Sequence, residues 1–196
     1  MIEMSNPKIL ALSGSIRDGS LNSRLVDAAM AELVQNECEV TRISLADYPL
    51  PIYDGDLESQ EGIPDNAKKL ARLFHEHEGL FIACPEYNGS LSPLLKNTID
   101  WVSRVSSDER GELSPYKGKV GAVGAASPGS MGGISMLYHL REILTRLGVL
   151  LISEQVAVGN GYSAFDDMDK LTDERAAQFL EATCKSLTQK AALLNR

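Results

Sequence analysis

The sequence predicts a doubly wound α/β fold, with a five-stranded parallel sheet in the order 2-1-3-4-5 and helices on both faces. Short apolar runs, typical of strands buried on both faces, alternate with segments whose apolar residues recur at helical spacing. Polar loops rich in glycine and serine follow three of these runs. The 196 residues have the length of one domain, which we place over residues 1–196, and they contain no internal repeat or linker.

The first half of the chain predicts two strands and two helices. An apolar run at 9–12 indicates the first strand, and apolar residues at helical spacing predict a helix over 21–35. A weaker strand follows at 39–45, and prolines interrupt residues 47–56, which we interpret as a loop. Pro64 begins the next helix, as proline does in a first turn.

Two groups of residues in this half resemble metal ligands, and we reject both. Asp54 and Asp56 lie in the proline-containing loop, but the further acidic ligands and the terminal glutamate of a calcium loop are missing. His75 and His77 stand two positions apart at a helix end, so they point to different faces of that helix. Their positions are favourable to the helix dipole, and we expect no metal site.

The second half repeats the alternation of strand and helix. Its predicted elements are a strand that starts at Gly79, a helix capped by Ser92 with Pro93 in its first turn, a strand at 120–126, a helix with a leucine stripe over 137–147, a strand at 149–152 and a closing helix over 171–194. Trp101 lies off the apolar face of its helix, so it is either half-buried or packed across a subunit boundary. The leucine stripe suits either the core or a subunit contact, and the loop at 159–169 is a candidate for crossing to a neighbour.

Composition narrows the functional class. Hydrophobic and charged fractions of 43% and 23% are ordinary for a soluble protein, and the apolar runs are too short to span a membrane. A net charge of −8 argues against nucleic acid or an anionic membrane as partner. The first residues lack the features of a signal peptide, and Cys38, Cys84 and Cys184 form no Cys-x-x-Cys pair. We expect a reduced, cytoplasmic setting.

The loop after the first strand is the first candidate site. It reads Ser-Gly-Ser-Ile-Arg-Asp-Gly-Ser-Leu-Asn over 13–22, between a strand end and a helix start. Backbone N–H groups and partial positive charge collect at such a helix start, so this loop suits a phosphate group. Arg17 adds a charged fork, and Ser15, Ser20 and Asn22 add donors. The loop is neither a Walker A loop nor a G-x-G-x-x-G fingerprint, and by itself it equally fits an ordinary turn capped by Ser20.

A second loop, over 85–101 after the apolar run at 80–83, favours the functional interpretation. It reads Pro-Glu-Tyr-Asn-Gly-Ser-Leu-Ser-Pro-Leu-Leu-Lys-Asn-Thr-Ile-Asp-Trp. Together with Gly-Ser-Ile-Arg-x-x-Ser-x-Asn in the first loop, it resembles the NAD(P)H-dependent FMN reductase family, which includes quinone, azo-dye and chromate reductases. The resemblance covers nearly the whole chain in order and spacing.

The resemblance implies a flavodoxin-like fold, FMN as cofactor and a homodimer or homotetramer. By the first motif, the resemblance implies that the FMN phosphate is held by Ser15, Arg17, Ser20 and Asn22, with Leu21 also at the cofactor. By the second motif, it implies that the isoalloxazine lies along Pro85, Glu86, Tyr87, Asn88 and Gly89. The resemblance also places the loop at 47–56 near a subunit interface, where Tyr53 approaches a cofactor.

A third loop, at 127–133 after the fourth strand, completes the predicted site. Its glycines allow a backbone to approach a flat ring closely. The resemblance to the FMN reductase family implies that Ser127 and Gly129 lie at the pyrimidine edge of that ring. Loops after strands one, three and four meet at the edge where open α/β sheets bind ligands. A planar cofactor that carries a phosphate group fits this edge.

The predicted function is FMN-dependent transfer of hydride from NAD(P)H to an acceptor such as a quinone, free flavin, azo compound or metal oxyanion. The chemistry belongs to the flavin, so no catalytic acid or base is expected. The alternatives are a flavodoxin-like electron carrier or redox-signalling module without nicotinamide turnover, and a flavin-free partner-binding protein on the same fold. The sequence leaves open the acceptor and the choice between NADPH and NADH.

Overall fold

A parallel sheet forms the centre of the computed structural model, which describes residues 6–194. The elements are β1 (Lys8–Ser13), α1 (Leu21–Gln35), β2 (Glu39–Ile43), α2 (Gly55–Glu61), α3 (Asp65–His75), β3 (Gly79–Ala83), α4 (Pro93–Ser103), β4 (Ser107–Asp108), β5 (Gly111–Glu112), β6 (Val120–Ala126), α5 (Ile134–Arg146), β7 (Leu150–Leu151), β8 (Val156–Val158) and α6 (Glu174–Leu194). A short 3-10 turn spans Leu45–Asp47. The expectation about a signal peptide concerns the start of the chain, where residues 1–5 lie outside the described range.

The strand order is β2-β1-β3-β6-β7, with β8 also paired to β6, and every pair in this sheet is parallel. This order confirms the predicted 2-1-3-4-5 arrangement. The fifth position differs in detail, because β7 pairs with the start of β6 and β8 with its end. The interruption contains Glu154, whose carboxylate accepts a hydrogen bond from Ser186 of α6 at 2.9 Å.

Helices cover both faces of the sheet, and side chains of β3 alternate between two cores. Leu80 and Ile82 face the core beneath α3, α4 and α5, whereas Phe81 and Ala83 face the core beneath α1 and α6. All five residues of β3 are buried, as expected of a central parallel strand.

The helix starts follow the capping residues of the sequence. Ser20 and Ser92 cap α1 and α4 through side chains that accept from backbone N–H groups, and Pro64 precedes the first residue of α3. Helix α6 begins at Glu174 rather than at 171, because the Asp173 carboxylate accepts from the N–H of Ala176 at 2.7 Å. Strand β2 ends at Ile43, before the 3-10 turn.

The structure differs from the sequence prediction in two places. Residues 48–54 form neither helix nor strand, as expected of the loop predicted over 47–56, but residues 55–61 form helix α2, capped by Asp54, which was not predicted. Trp101 is fully buried, because its indole N–H donates to the Pro51 carbonyl at 2.8 Å and its ring packs edge-on against Tyr53. Of the two alternatives for the leucine stripe, the structure selects the core: the leucines at 137, 140 and 144 are all buried.

None of the described helices combines the length and the apolar character that a membrane span requires. Among residues 6–194, no group of three or more His, Cys, Asp or Glu side chains is arranged to hold a metal ion.

Candidate active site

Three loops meet at the carboxyl edge of the sheet and enclose a cavity of about 120 Å³, here called the central cavity. We name them loop 1 (residues 14–20, after β1), loop 2 (84–92, after β3) and loop 3 (127–133, after β6). The lining residues are Ser15, Arg17, Gly19, Ser20, Leu21, Asn22, Pro85, Glu86, Tyr87, Ala126, Ser127, Pro128 and Tyr162. Of the twelve predicted site residues, only Asn88, Gly89 and Gly129 are not among these.

Loop 1 is shaped by short side-chain-to-backbone hydrogen bonds. The Ser13 hydroxyl accepts from the N–H of Ser15 at 3.2 Å, and the Ser15 hydroxyl accepts from the N–H of Arg17 at 3.4 Å. Gly19 adopts a positive φ of 64°, which lets the chain turn into α1. The first turn of α1 contains no acidic residue, so its positive end is available to an anion.

Arg17 is exposed at the rim of the central cavity. Within residues 6–194 it forms no ion pair, unlike Arg24 and Arg42 nearby, which are paired with carboxylates. An arginine with its donors free beside a helix N-terminus suits a phosphate group.

Asn22 has a structural role that the sequence did not show. Its amide donates to the Ala126 carbonyl and its carbonyl accepts from the Ala126 N–H, both at 2.9 Å. The side chain is buried and joins the start of α1 to the end of β6. Asn22 therefore fixes the distance between loop 1 and loop 3, with at most one amide hydrogen left for a ligand.

Loop 2 ends in a tight turn that keeps two predicted site residues away from the cavity. Tyr87 and Ser90 exchange two backbone hydrogen bonds, at 2.8 and 3.1 Å. Asn88 and Gly89 occupy the tip with φ values of 52° and 77°, the positive values that a two-residue hairpin of this kind requires. Tyr87 itself lines the cavity and is 43% exposed.

Glu86 joins loop 2 to the helix that follows loop 3. Its carboxylate accepts from the N–H of Met136, at 3.1 Å, in the first turn of α5. The capping residue of α5, Gly133, has no side chain, so Glu86 supplies a hydrogen bond from another element. A carboxylate in this position interacts favourably with the dipole of α5. Because the Glu86 carboxylate already accepts the Met136 N–H, its role is to hold loop 2 against α5.

Ser92 holds loop 1 against loop 2. Its hydroxyl donates to the Gly14 carbonyl at 2.6 Å and accepts from the N–H of Leu95 at 3.2 Å. Beside it, burial raises the pKa of the Cys84 thiol. A side chain at Gly14 would place its Cβ 2.8 Å from the Cys84 sulfur, so glycine is required there. Cys84 is a packed thiol between the loops rather than a reactive one.

The segment at 159–163, here called loop 4, follows β8 and is packed onto loop 3 of its own chain. The N–H of Gly161 donates to Ser127 at 2.9 Å, and the N–H of Asn160 donates to Gly129 at 3.2 Å. A Cβ at Gly159 would lie 2.3 Å from the Ser130 carbonyl oxygen, so the two backbones are in direct contact. The expected crossing to a neighbour is therefore not needed to explain this stretch.

Tyr162 of loop 4 lines the central cavity, and sequence reasoning did not identify it. Its side chain is 75% exposed. The signal that was available is the Gly-Asn-Gly run just before it, which permits the close approach to loop 3.

Tyr53 does not line the central cavity of its own chain. Its hydroxyl donates to the Glu58 carboxylate at 2.9 Å, and this hydrogen bond raises the pKa of Tyr53. Arg104 donates to the same carboxylate at 3.0 Å and lowers the pKa of Glu58. The amide of Asn97 and the indole of Trp101 both donate to Pro51, so this part of the second motif clamps the 51–53 segment onto α4.

The family model for NADPH-dependent FMN reductase matches residues 7–163. The chain belongs to this family. It is 33% identical to the NAD(P)H-dependent FMN reductase PA1204 of Pseudomonas aeruginosa over 182 residues, which covers 92% of each chain. It is 35% identical to a quinone reductase of Escherichia coli strain K12 over 153 residues, or 78% of this chain and 77% of that one.

Solved structures give the same result for the fold. The flavoenzyme NAD(P)H:(acceptor) oxidoreductase FerB of Paracoccus denitrificans superimposes with a TM-score of 0.77 at 25% identity, over 94% of this chain and 97% of that one. An archaeal flavodoxin superimposes with a TM-score of 0.58 at 10% identity, covering 94% and 98%. The predicted flavodoxin-like fold, FMN as cofactor and NAD(P)H-dependent oxidoreduction are confirmed.

The central cavity fits FMN by the chemistry of its donors. Arg17, the hydroxyls of Ser15 and Ser20 and the positive end of α1 lie together at loop 1, as a phosphate requires. Backbone of loops 2 and 3 lies on the other side, with small residues that suit the rim of a flat heterocycle.

Proposed function

We propose that the chain binds FMN in the central cavity and uses it to reduce a small quinone with electrons from NAD(P)H. The observation that carries this proposal is the arrangement of loop 1, where Arg17 has no ion-pair partner among residues 6–194 and the first turn of α1 contains no acidic residue. Ser15, Ser20 and the backbone of Leu21 and Asn22 complete the phosphate site. Pro85, Glu86 and Tyr87 of loop 2 and Ser127 of loop 3 border the ring, whereas Asn88, Gly89 and Gly129 do not line the cavity and are left out of the proposed site.

Bound FMN supplies the capacity to accept hydride from NAD(P)H and to pass two electrons to an acceptor. The residues of this chain bind and orient it. Asn22, Ser92 and Glu86 hold loops 1, 2 and 3 in a fixed relation, so donor groups are in place before the ligand arrives. No side chain is assigned as a catalytic acid or base.

The names of the relatives support a quinone as acceptor over free flavin, azo compounds and metal oxyanions. The test is a panel of these acceptors with the FMN-loaded protein at saturating NADPH and, separately, NADH. We expect the highest kcat/KM for a quinone. A protein that purifies without flavin and does not bind added FMN would contradict the proposal as a whole.

We further infer a homodimer or homotetramer in the cytoplasm. Large apolar side chains are exposed around the site, with Tyr87, Met131 and Tyr138 between 43% and 71% exposed. The three free cysteines are all buried, in keeping with a reduced compartment. Light scattering at micromolar concentration tests the assembly, and a monomer there would contradict it.

A further inference from the structure

Loop 1 separates two cavities, of which the central cavity is one. The second cavity, here called the arginine cavity, has a volume of about 340 Å³ and lies between loop 1, the first turns of α1 and the end of β2. Ser15, Arg17, Gly19 and Ser20 line both cavities. A group bound in the arginine cavity therefore lies next to the proposed FMN phosphate.

The arginine cavity contains groups of both charges. Its guanidinium groups come from Arg17, Arg24 and Arg42, its carboxylates from Asp18, Asp27 and Asp169, and its hydroxyls from Ser13, Ser23 and Ser44. A bare anion would meet three carboxylates here. A ribose phosphate fits the mixture better, because guanidinium groups bind phosphate and carboxylates accept hydrogen bonds from ribose hydroxyls.

The cavity also offers a surface for a base. Ile16 lines it and is 54% exposed, although it belongs to an otherwise polar loop. The volume lies within the range of about 300–1,000 Å³ that small-molecule sites occupy. The cavity therefore offers a partner for each part of a nucleotide: guanidinium groups for the phosphate, carboxylates for the ribose and an apolar side chain for the base.

Two of the three arginines, Arg24 and Arg42, are held by ion pairs before any ligand binds. Arg42 is held by both carboxylate oxygens of Asp27, at 2.5 and 3.1 Å. Arg24 pairs with Asp169, donates to the Asp166 carbonyl at 2.5 Å and lies over the Phe165 ring, 4.9 Å from its centroid. A guanidinium has five N–H donors, so each arginine keeps donors for a ligand.

We propose that the arginine cavity binds the adenosine 5′-phosphate half of a dinucleotide. This inference rests on the proposed function, since the FMN phosphate on the other side of loop 1 sets the neighbouring position. Two ligands carry such a group: FAD, in which it is joined to the flavin phosphate, and NAD(P)H. In either case Arg42 contacts only the adenosine half, because it does not line the central cavity.

The experiment compares flavins on protein from which flavin has been removed. Fluorescence quenching gives Kd for FMN and FAD, with wild type, Arg42→Gln and Arg42→Lys. We expect wild type to bind FAD at least as tightly as FMN. Arg42→Gln should raise Kd for FAD about tenfold, or about 1.4 kcal/mol, and leave Kd for FMN within about twofold. Arg42→Lys keeps the charge and should fall between.

Arg104→Gln is the matched control, because Arg104 is also ion-paired but lines neither cavity. If Arg42→Gln leaves FAD unchanged but raises KM for NADPH in the FMN-loaded enzyme, the adenosine half belongs to NAD(P)H and the proposal stands. If neither value moves, or if FMN and FAD weaken equally, the proposal is overturned. Failure of wild type to bind FMN would instead overturn the proposed function.

Discussion

Arg17 is the side chain on which we expect phosphate recognition to depend. Arg17→Ala should weaken FMN binding by about 1.5–3 kcal/mol, the range for a hydrogen bond to a charged group. Riboflavin, which has no phosphate, should bind wild type and variant equally, and so provides the matched ligand. Fluorescence quenching measures both, and equal FMN affinity in the two proteins would remove the phosphate assignment. Arg110→Ala is the control variant, since that side chain is 75% exposed and lies outside the central cavity.

Tyr162 is expected to contribute an aromatic contact to the bound cofactor. Tyr162→Ala should raise Kd for FMN about fivefold, as the loss of an aromatic contact of about 1 kcal/mol predicts. Tyr162→Phe should retain most of the affinity, because the ring rather than the hydroxyl makes the contact. Met168→Ala, which changes an 84% exposed side chain a few residues along the chain, should have no effect. A Tyr162→Ala protein with wild-type affinity would show that this ring does not touch the flavin.

The Ser92 hydroxyl makes two hydrogen bonds to backbone groups, one to the Gly14 carbonyl and one from the Leu95 N–H. Ser92→Ala removes the cap of α4 and leaves the Gly14 carbonyl without its donor, and we expect the free energy of unfolding to fall by about 2–3 kcal/mol. Urea titration should show a lower midpoint with an unchanged slope. Ser103→Ala, at an exposed hydroxyl on the same helix, should change stability by less than about 0.5 kcal/mol. A similar loss of unfolding free energy in both variants would mean that the Ser92 hydrogen bonds between loops 1 and 2 do not contribute to stability.

At the scale of elements, the two-point ion pair of Arg72 and Asp108 joins the hairpin of β4 and β5 to α3. Arg72 donates to both carboxylate oxygens of Asp108, and this contact lowers the pKa of Asp108 below its ordinary value of 3.8. A carboxyl group whose pKa is lowered in the folded state stabilises that state above its ordinary pKa, and the contribution disappears as the pH falls through the folded value. Asp108→Asn should therefore be less stable than wild type at pH 7, with the difference narrowing below about pH 4.

Chemical denaturation at several pH values measures that difference. Asp65→Asn is the control, because the Asp65 side chain is 87% exposed and its ion pair with Lys68 contributes little. A stability difference for Asp108→Asn that stays constant from pH 7 to pH 3 would contradict the assignment.

Elements with a clear apolar pattern were predicted well, and a helix with a capping residue but no apolar stripe was missed. Ser20 and Ser92 marked α1 and α4, and the unbroken apolar run marked β3. Helix α2 has no buried residue, so it has no apolar stripe to detect. The full burial of Trp101 was not predicted, because helical spacing describes only burial against the sheet. The ring of Trp101 is covered instead by the 51–53 segment, which its own indole N–H holds in place.

For the whole molecule, the site was predictable as far as it depends on strand ends. Loops 1, 2 and 3 each follow a recognisable strand, and the rule for open α/β sheets places them together. Tyr162 was not predictable in this way, because its position depends on the break between β7 and β8 and on the pairing of β8 with the end of β6. Asn22 likewise has a role set by a contact across 104 residues, which no local pattern in the sequence describes.

The whole molecule should act as a reductase rather than as an electron carrier. A carrier shields its flavin between aromatic side chains. Here loop 3 contains no aromatic residue, and the two aromatic side chains that line the central cavity, Tyr87 and Tyr162, are 43% and 75% exposed, so they do not close over both faces of the ring. Nicotinamide therefore has access to one side of the ring, and we expect direct hydride transfer with ping-pong kinetics. Anaerobic NADPH should bleach the flavin absorbance at a ratio of about one to one, and dithionite provides the control for full reduction. Bleaching by dithionite without bleaching by NADPH or NADH would support an electron carrier. In steady-state kinetics, double-reciprocal plots that intersect would contradict ping-pong kinetics, in which the nicotinamide and the acceptor use the same binding position in turn.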